Sequence, residues 1–157
     1  MSYQNLNQLF EERFQGEKDR PCLRYVENGR WQVLTWWQVR ERVARIAGGL
    51  KKLGVQRGDR VCIFSRTRYE WTLADLGILG AGGIVVPIYE SNTSEQAEYV
   101  LNNCEAKVVF AEGEAVWAKI RAAQKNLAQL KQIVLFTDPG CGKLPEGIYT
   151  LEDLSLL

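Results

Sequence analysis

Residues 60–90 read RVCIFSRTRYEWTLADLGILGAGGIVVPIYE, and this stretch decides the fold. Residues 61–64 form an unbroken apolar run and 65–68 are polar; Trp71, Leu73, Leu76 and Leu79 then recur at helical spacing before a second apolar run at 84–88. A strand that is apolar in every position has both faces covered. Two such strands joined by a helix predict a parallel pair with a helical crossover, the unit of a helix-covered α/β sheet. The same rhythm continues downstream, with strands at 107–111 and 132–136 alternating with helices that begin near Ser94 and Glu114. Thr93 with Gln96 three residues on is a capping-box pattern for the first of these helices.

Upstream of the deciding stretch, Thr35 and Gln38 repeat that pattern and open the clearest helix in the chain. Trp36, Val39, Val43, Ile46, Ala47 and Leu50 keep to one of its faces, Arg40, Arg42, Arg45 and Lys51 take the rest, and Gly54 is placed to end it in a left-handed conformation. Before it, runs at 22–27 and 30–34 flank Asn28-Gly29, the dipeptide best suited to a type I′ turn, and so predict a β-hairpin. Asn5 is placed to cap a short leading helix carrying Leu6, Leu9, Phe10 and Phe14 and ending near Gly16. The expected organisation is a leading helix and hairpin over 1–34, followed by an α/β unit over 35–157.

Toward the other end, residues 137–147 hold two prolines and three glycines and read as a loop, with a last short strand at 148–150. Leu154, Leu156 and Leu157 then crowd an apolar terminus and lack an evident partner, which points to truncation. Length and composition agree with a single folded unit: 157 residues, 46% hydrophobic and 25% charged, suffice for one core without disulfides or metals. Histidine is absent, which removes the usual general base, the Ser-His-Asp and Cys-His arrangements, and every histidine-containing zinc site.

Cys22, Cys62, Cys104 and Cys141 stand about forty residues apart, with no CxxC pair. They are read as reduced, mostly buried thiols of a cytoplasmic protein, since no secretory signal is recognisable. The longest stretch without a charge, residues 76–89, contains four glycines and a proline and falls short of the ~20 apolar residues a membrane span needs. Net charge is +1, but residues 40–68 carry nine Lys/Arg against two acids, whereas residues 69–157 carry six against twelve. A solvated helix face followed by a polar turn accounts for the basic segment. Nucleic acid is not an expected partner, because no binding motif accompanies it.

Several motifs fail on spacing. Gly140, Gly142 and Lys143 follow a strand, but Thr137 and Leu144 occupy the places where a Walker loop requires glycine and Ser/Thr. Gly77, Gly80, Gly82 and Gly83 lie late in a helix before a strand, the reverse of a dinucleotide fingerprint. Position makes a better case. Ligands of open parallel sheets gather beyond the carboxyl ends of strands, so Arg66 and Arg68 after one strand, and Tyr89 and Glu90 after another, are the candidate substrate-binding residues. Arg68 has a structural alternative, pairing with a neighbouring acid to fix the loop.

The ordered blocks carry a resemblance. Leu34-Thr35-Trp36 opening a helix, residues 53–61 (LGVQRGDRV), Ser65 with Arg68, Glu70 and Trp71, residues 79–89 (LGAGGIVVPIY) and residues 106–110 (AKVVF) together closely resemble the amino-terminal part of the adenylate-forming superfamily, most of all bacterial long-chain fatty-acid CoA ligases. Thr67, where the family often has Asn, and Glu90, where many relatives have Pro, are departures; the second favours a long-chain subgroup.

The resemblance implies part of the large amino-terminal domain of a parent enzyme. That enzyme activates a fatty carboxylate with ATP and Mg²⁺ as acyl-adenylate and transfers the acyl group to coenzyme A. The family's phosphate loop, its YGxTE-like block and its late lysine have no counterpart in 1–157, so no catalytic, metal or cofactor-binding residue is assigned and the chain alone is expected to be silent. Its expected partners are the rest of the parent and, through apolar surface left uncovered, further copies of itself. Membrane approach in the parent and contact with coenzyme A phosphates are the two functional readings of the basic segment. An amino-acid or aryl-acid adenylating enzyme and a non-enzymatic α/β interaction module are the alternatives.

Overall fold

A computed structural model describes residues 5–140 and 142–157. The expected loop position of Cys141 lies outside the described residues. Among the described residues, seven strands and six α-helices follow in the order α1 (Leu6–Glu17), β1 (Pro21–Glu27), β2 (Arg30–Thr35), α2 (Trp36–Lys52), β3 (Arg60–Phe64), α3 (Tyr69–Ala81), β4 (Ile84–Ile88), α4 (Ser94–Asn103), β5 (Val108–Ala111), α5 (Glu114–Ala123), β6 (Gln132–Leu135), β7 (Ile148–Thr150) and α6 (Leu151–Leu156). Strands β3 to β7 form one sheet in the order β4-β3-β5-β6-β7, and every neighbouring pair is parallel. This is the helix-covered parallel sheet that residues 60–90 foretell.

Alternation along the central strands explains the layers. Val61, Ile63, Val108, Phe110 and Val134 point to one face, where α2, α3 and α6 supply Val39, Val43, Ile46, Leu50, Leu73, Ile78 and Leu154. Cys62, Phe64, Val109, Ala111, Ile133 and Leu135 point to the other, against Ala97 and Leu101 of α4 and Val116, Trp117 and Ile120 of α5. Burial on both faces is why residues 61–64 of β3, all of β5 and residues 133–135 of β6 are apolar; β4 is apolar too, but at the edge of the sheet it leaves Ile84 half exposed.

Local chemistry sets the element ends. The Thr35 and Thr93 hydroxyls accept from the backbone N–H of Gln38 and Gln96, and each glutamine side chain accepts from the cap residue's own N–H. Gly54, after α2, has φ 86°. The hairpin turn places Asn28 at φ 50° and Gly29 at φ 72°, as a type I′ turn requires. Helix α1 docks on α2 through the ring pairs Phe10–Trp36 and Phe14–Trp37, with centroids 5.7 and 5.6 Å apart, and the Asn7 side-chain amide donates to the Leu79 carbonyl.

The terminus corrects one expectation. Residues 151–156 form α6, capped by Thr150 with Asp153, and Leu154 is fully buried. Its partner is the Gly49 face of α2, where the absence of a side chain lets the two helices touch. Leu156 and Leu157 remain exposed.

Candidate functional site

The carboxyl ends of β3, β4, β5 and β6 open onto one edge of the sheet, as parallel pairing requires. The polar segment after β3 begins there. Ser65 is buried, receives its place from an N–H bond to the Ile88 carbonyl, and donates its hydroxyl to the Arg66 carbonyl at 2.8 Å. Arg66 and Arg68 then diverge. Arg66 is exposed, and its Nε lies 2.6 Å from Oε1 of Glu112, the first residue after β5, while its backbone N–H donates to Oε2 at 3.0 Å.

Arg68 is tied more firmly. Its Nε and Nη2 donate to the two oxygens of Glu70 at 2.6 Å each, a bidentate fork. Nη1 reaches Thr137 Oγ1 at 3.3 Å, after β6, and lies 3.9 Å from Glu112. The Glu70 carboxylate, itself buried, raises the Arg68 pKa further against the opposing effect of desolvation. Three chain segments are thus stitched together by one guanidinium: the start of α3, the residue after β5 and the turn after β6. Beside it Tyr69 stacks on Tyr25 of the hairpin with centroids 3.9 Å apart, and burial pushes its phenol up to about 12.

A cleft of about 390 Å³ lies on this edge, and Arg66, Arg68, Glu90, Glu112, Lys119 and Thr137 are among its lining residues. Lys119 closes one side, donating to the carbonyls of Glu90 and Asn92 at 2.5 and 2.8 Å. Of the four residues singled out from the sequence, Arg66, Arg68 and Glu90 therefore share one cleft. Tyr89 stands outside it, 78% exposed. Glu112, Lys119 and Thr137 escaped the sequence reading. Glu112 and Thr137 carry the same signal as Arg66, namely a polar residue within two positions of the end of an apolar strand, and Lys119 carries none because it arrives from the middle of α5.

The edge does not by itself fit a metal-bound triphosphate. Among the described residues no three carboxylate or thiol groups come together as a metal site. Both arginines of the cleft already face carboxylates and Lys119 is engaged by two backbone carbonyls, so each cation a phosphate would seek already has a partner within the chain.

The AMP-binding enzyme family matches residues 10–148 of this sequence. The chain belongs to that family. A long-chain-fatty-acid CoA ligase of Mycobacterium bovis is 36% identical over 130 residues, covering 81% of this chain and 22% of its own. One from Xenopus laevis is 33% identical over 152 residues, covering 97% of this chain and 20% of its own. Among solved structures, an anthranilate CoA ligase in complex with anthranoyl-AMP superposes with a TM-score of 0.85 at 24% identity, over 98% of this chain and 28% of that one. This last likeness concerns the fold. The chain spans about a fifth of the length of the curated AMP-binding relatives it matches.

Proposed function

We propose that this chain is the amino-terminal scaffold of an ATP-dependent, AMP-forming long-chain fatty-acid CoA ligase, and that it builds one wall of the substrate and nucleotide cleft. The observation that carries the reading is identity of 33–36% to long-chain-fatty-acid CoA ligases over most of the chain in both a bacterium and a frog. ATP, Mg²⁺, coenzyme A and a fatty acid are the parent's reactants. The chemistry of acyl transfer needs a carboxylate oxygen converted into a leaving group and charge stabilised as it develops, and the sheet edge supplies position rather than those groups.

Within the parent, Arg66, Arg68, Tyr89 and Glu90 occupy the ligand edge. Arg68 acts as a positioning residue, since its guanidinium holds the loop after β3 to Glu70, Glu112 and Thr137. Arg66 is the more exposed of the two cations, and it meets an anionic reactant only by exchanging its pairing with Glu112. The parent works in the cytoplasm and approaches the membrane from outside it, where its lipid substrate lies; no described helix is long and apolar enough to cross a membrane. Fatty-acid-dependent ATP–pyrophosphate exchange tests this reading. The 157-residue chain alone is expected to show none, and the polypeptide that carries it within a full-length ligase is expected to respond to oleate and not to anthranilate. Exchange by the chain alone, or a preference for the aryl acid, overturns it.

A further inference from the structure

Strand β3 and the end of α4 bring together two thiols that the ligase reading does not use. Cys62 is fully buried in the middle of β3, whereas Cys104 is the half-buried C-cap of α4. Their Sγ atoms lie 3.5 Å apart, and a disulfide requires ~2.05 Å. Both cysteines are free in this structure. The sequence separation of 42 residues hides this pair from any reading of spacing.

The two sulfurs have opposite characters. Either sulfur can donate in this contact, and Cys104 Sγ also donates to the Leu101 carbonyl at 3.7 Å; the contact with Cys62 lowers the Cys104 pKa to about 7 against the opposing effect of desolvation, with help from the Ala106 N–H and the Arg60 guanidinium. That guanidinium donates to the Cys104 carbonyl and to Glu105, which hold it at the end of α4. Its partnership with Cys104 and its burial push Cys62 up, so Cys62 keeps its proton. A thiolate that solvent can reach beside a buried thiol is the arrangement in which one sulfur is oxidised and the other resolves it.

We propose that Cys62 and Cys104 form an oxidation site, in which a peroxide converts Cys104 to a sulfenic acid and Cys62 closes the disulfide. In the first step the Cys104 thiolate attacks one peroxide oxygen, the O–O bond breaks and hydroxide leaves. In the second the Cys62 sulfur attacks the sulfenic sulfur, the S–O bond breaks, and the departing oxygen takes the Cys62 proton to leave as water. Two electrons pass from the sulfurs to the peroxide. The bridge encloses α3, β4 and α4, and so ties the edge strand and its flanking helix to the centre of the sheet.

Hydrogen peroxide added to the reduced chain, followed by non-reducing peptide mapping, tests the site. The expected result is a peptide linking Cys62 to Cys104 that dithiothreitol dissolves, together with a raised thermal midpoint. In Cys62→Ala the sulfenic acid has no resolving partner, and dimedone is expected to label Cys104; in Cys104→Ala neither product forms at these positions. A wild-type chain that peroxide links through Cys22 or Cys141 instead, or leaves without a Cys62–Cys104 peptide, overturns the proposal. So does dimedone labelling of another cysteine ahead of Cys104 in the Cys62→Ala chain.

Discussion

Arg66 and Arg68 are two residues apart and both pair with glutamate, yet burial gives them different weights. Glu70 is only 6% exposed and has Arg68 as its bidentate partner, so Arg68→Gln leaves a carboxylate out of water without its counter-charge. The expected loss is about 3 kcal/mol in urea unfolding, toward the low end for a buried pair because Arg68 still meets solvent. Arg66 is 69% exposed, and Arg66→Gln is expected to change stability by less than ~1 kcal/mol. Equal effects of the two substitutions would refute the assignment of Arg68 as the residue that fixes the loop.

Asp59 contributes through its protonation state. The Gln56 N–H, donating at 2.8 Å, and then the Lys107 ammonium at 3.0 Å hold its carboxyl below the usual carboxylate range. The folded value lies below the unfolded value of ~3.9, so the stability gained is complete above that pH and disappears as pH falls through the folded value. Asp59→Asn is expected to lose about 1–2 kcal/mol at neutral pH, the scale of a charge-assisted hydrogen bond, and to converge on the parent chain as the pH falls through the folded value. Urea midpoints measured across that range check it; a difference that stays constant with pH contradicts it.

At the scale of elements, the contrast between Gly48 and Gly49 in α2 measures what the α2–α6 contact requires. A Cβ at Gly49 would collide with the backbone carbonyl and side chain of Leu154, whereas one at Gly48 would meet nothing within 4 Å. Gly49→Ala is therefore expected to cost about 1–3 kcal/mol through overpacking, and Gly48→Ala to gain up to ~1 kcal/mol of helix propensity. Thermal unfolding of both variants gives the comparison, and stabilisation by both would mean that α6 does not sit on α2.

The same contact explains where sequence reading stopped. The parallel strands, the hairpin and the caps were legible because their determinants are local: runs of apolar residues, Asn28-Gly29, Thr35 with Gln38. Helix α6 was not, because six residues are too few to display a period, and the partner of Leu154 lies about a hundred residues earlier in a helix whose glycine looks merely permissive. The strand-end rule found Arg66, Arg68 and Glu90 by position. The pairing of Arg68 with a neighbouring acid was open to the sequence because Glu70 is two residues away, whereas Glu112 as the bridge between the two arginines and the meeting of Cys62 with Cys104 were not, since those depend on which strands are neighbours.

For the whole molecule, the uncovered apolar surface has a direct consequence. Trp31 is 74% exposed on the hairpin, Val26 lies opposite it across the ladder, and Ile84 and Leu156 stand free elsewhere. A contiguous exposed apolar patch favours association, and the Trp31–Val26 pair is its candidate here. The isolated chain is expected to increase in mass with concentration by light scattering, and a strict monomer at high concentration contradicts that expectation. The central claim is that this α/β unit positions a ligase cleft while the groups that activate the carboxylate come from elsewhere in a longer enzyme. ATP–pyrophosphate exchange with oleate tests it most directly: the account predicts no exchange by the 157-residue chain and robust exchange by the full-length ligase containing it, whereas turnover by the chain alone would contradict it.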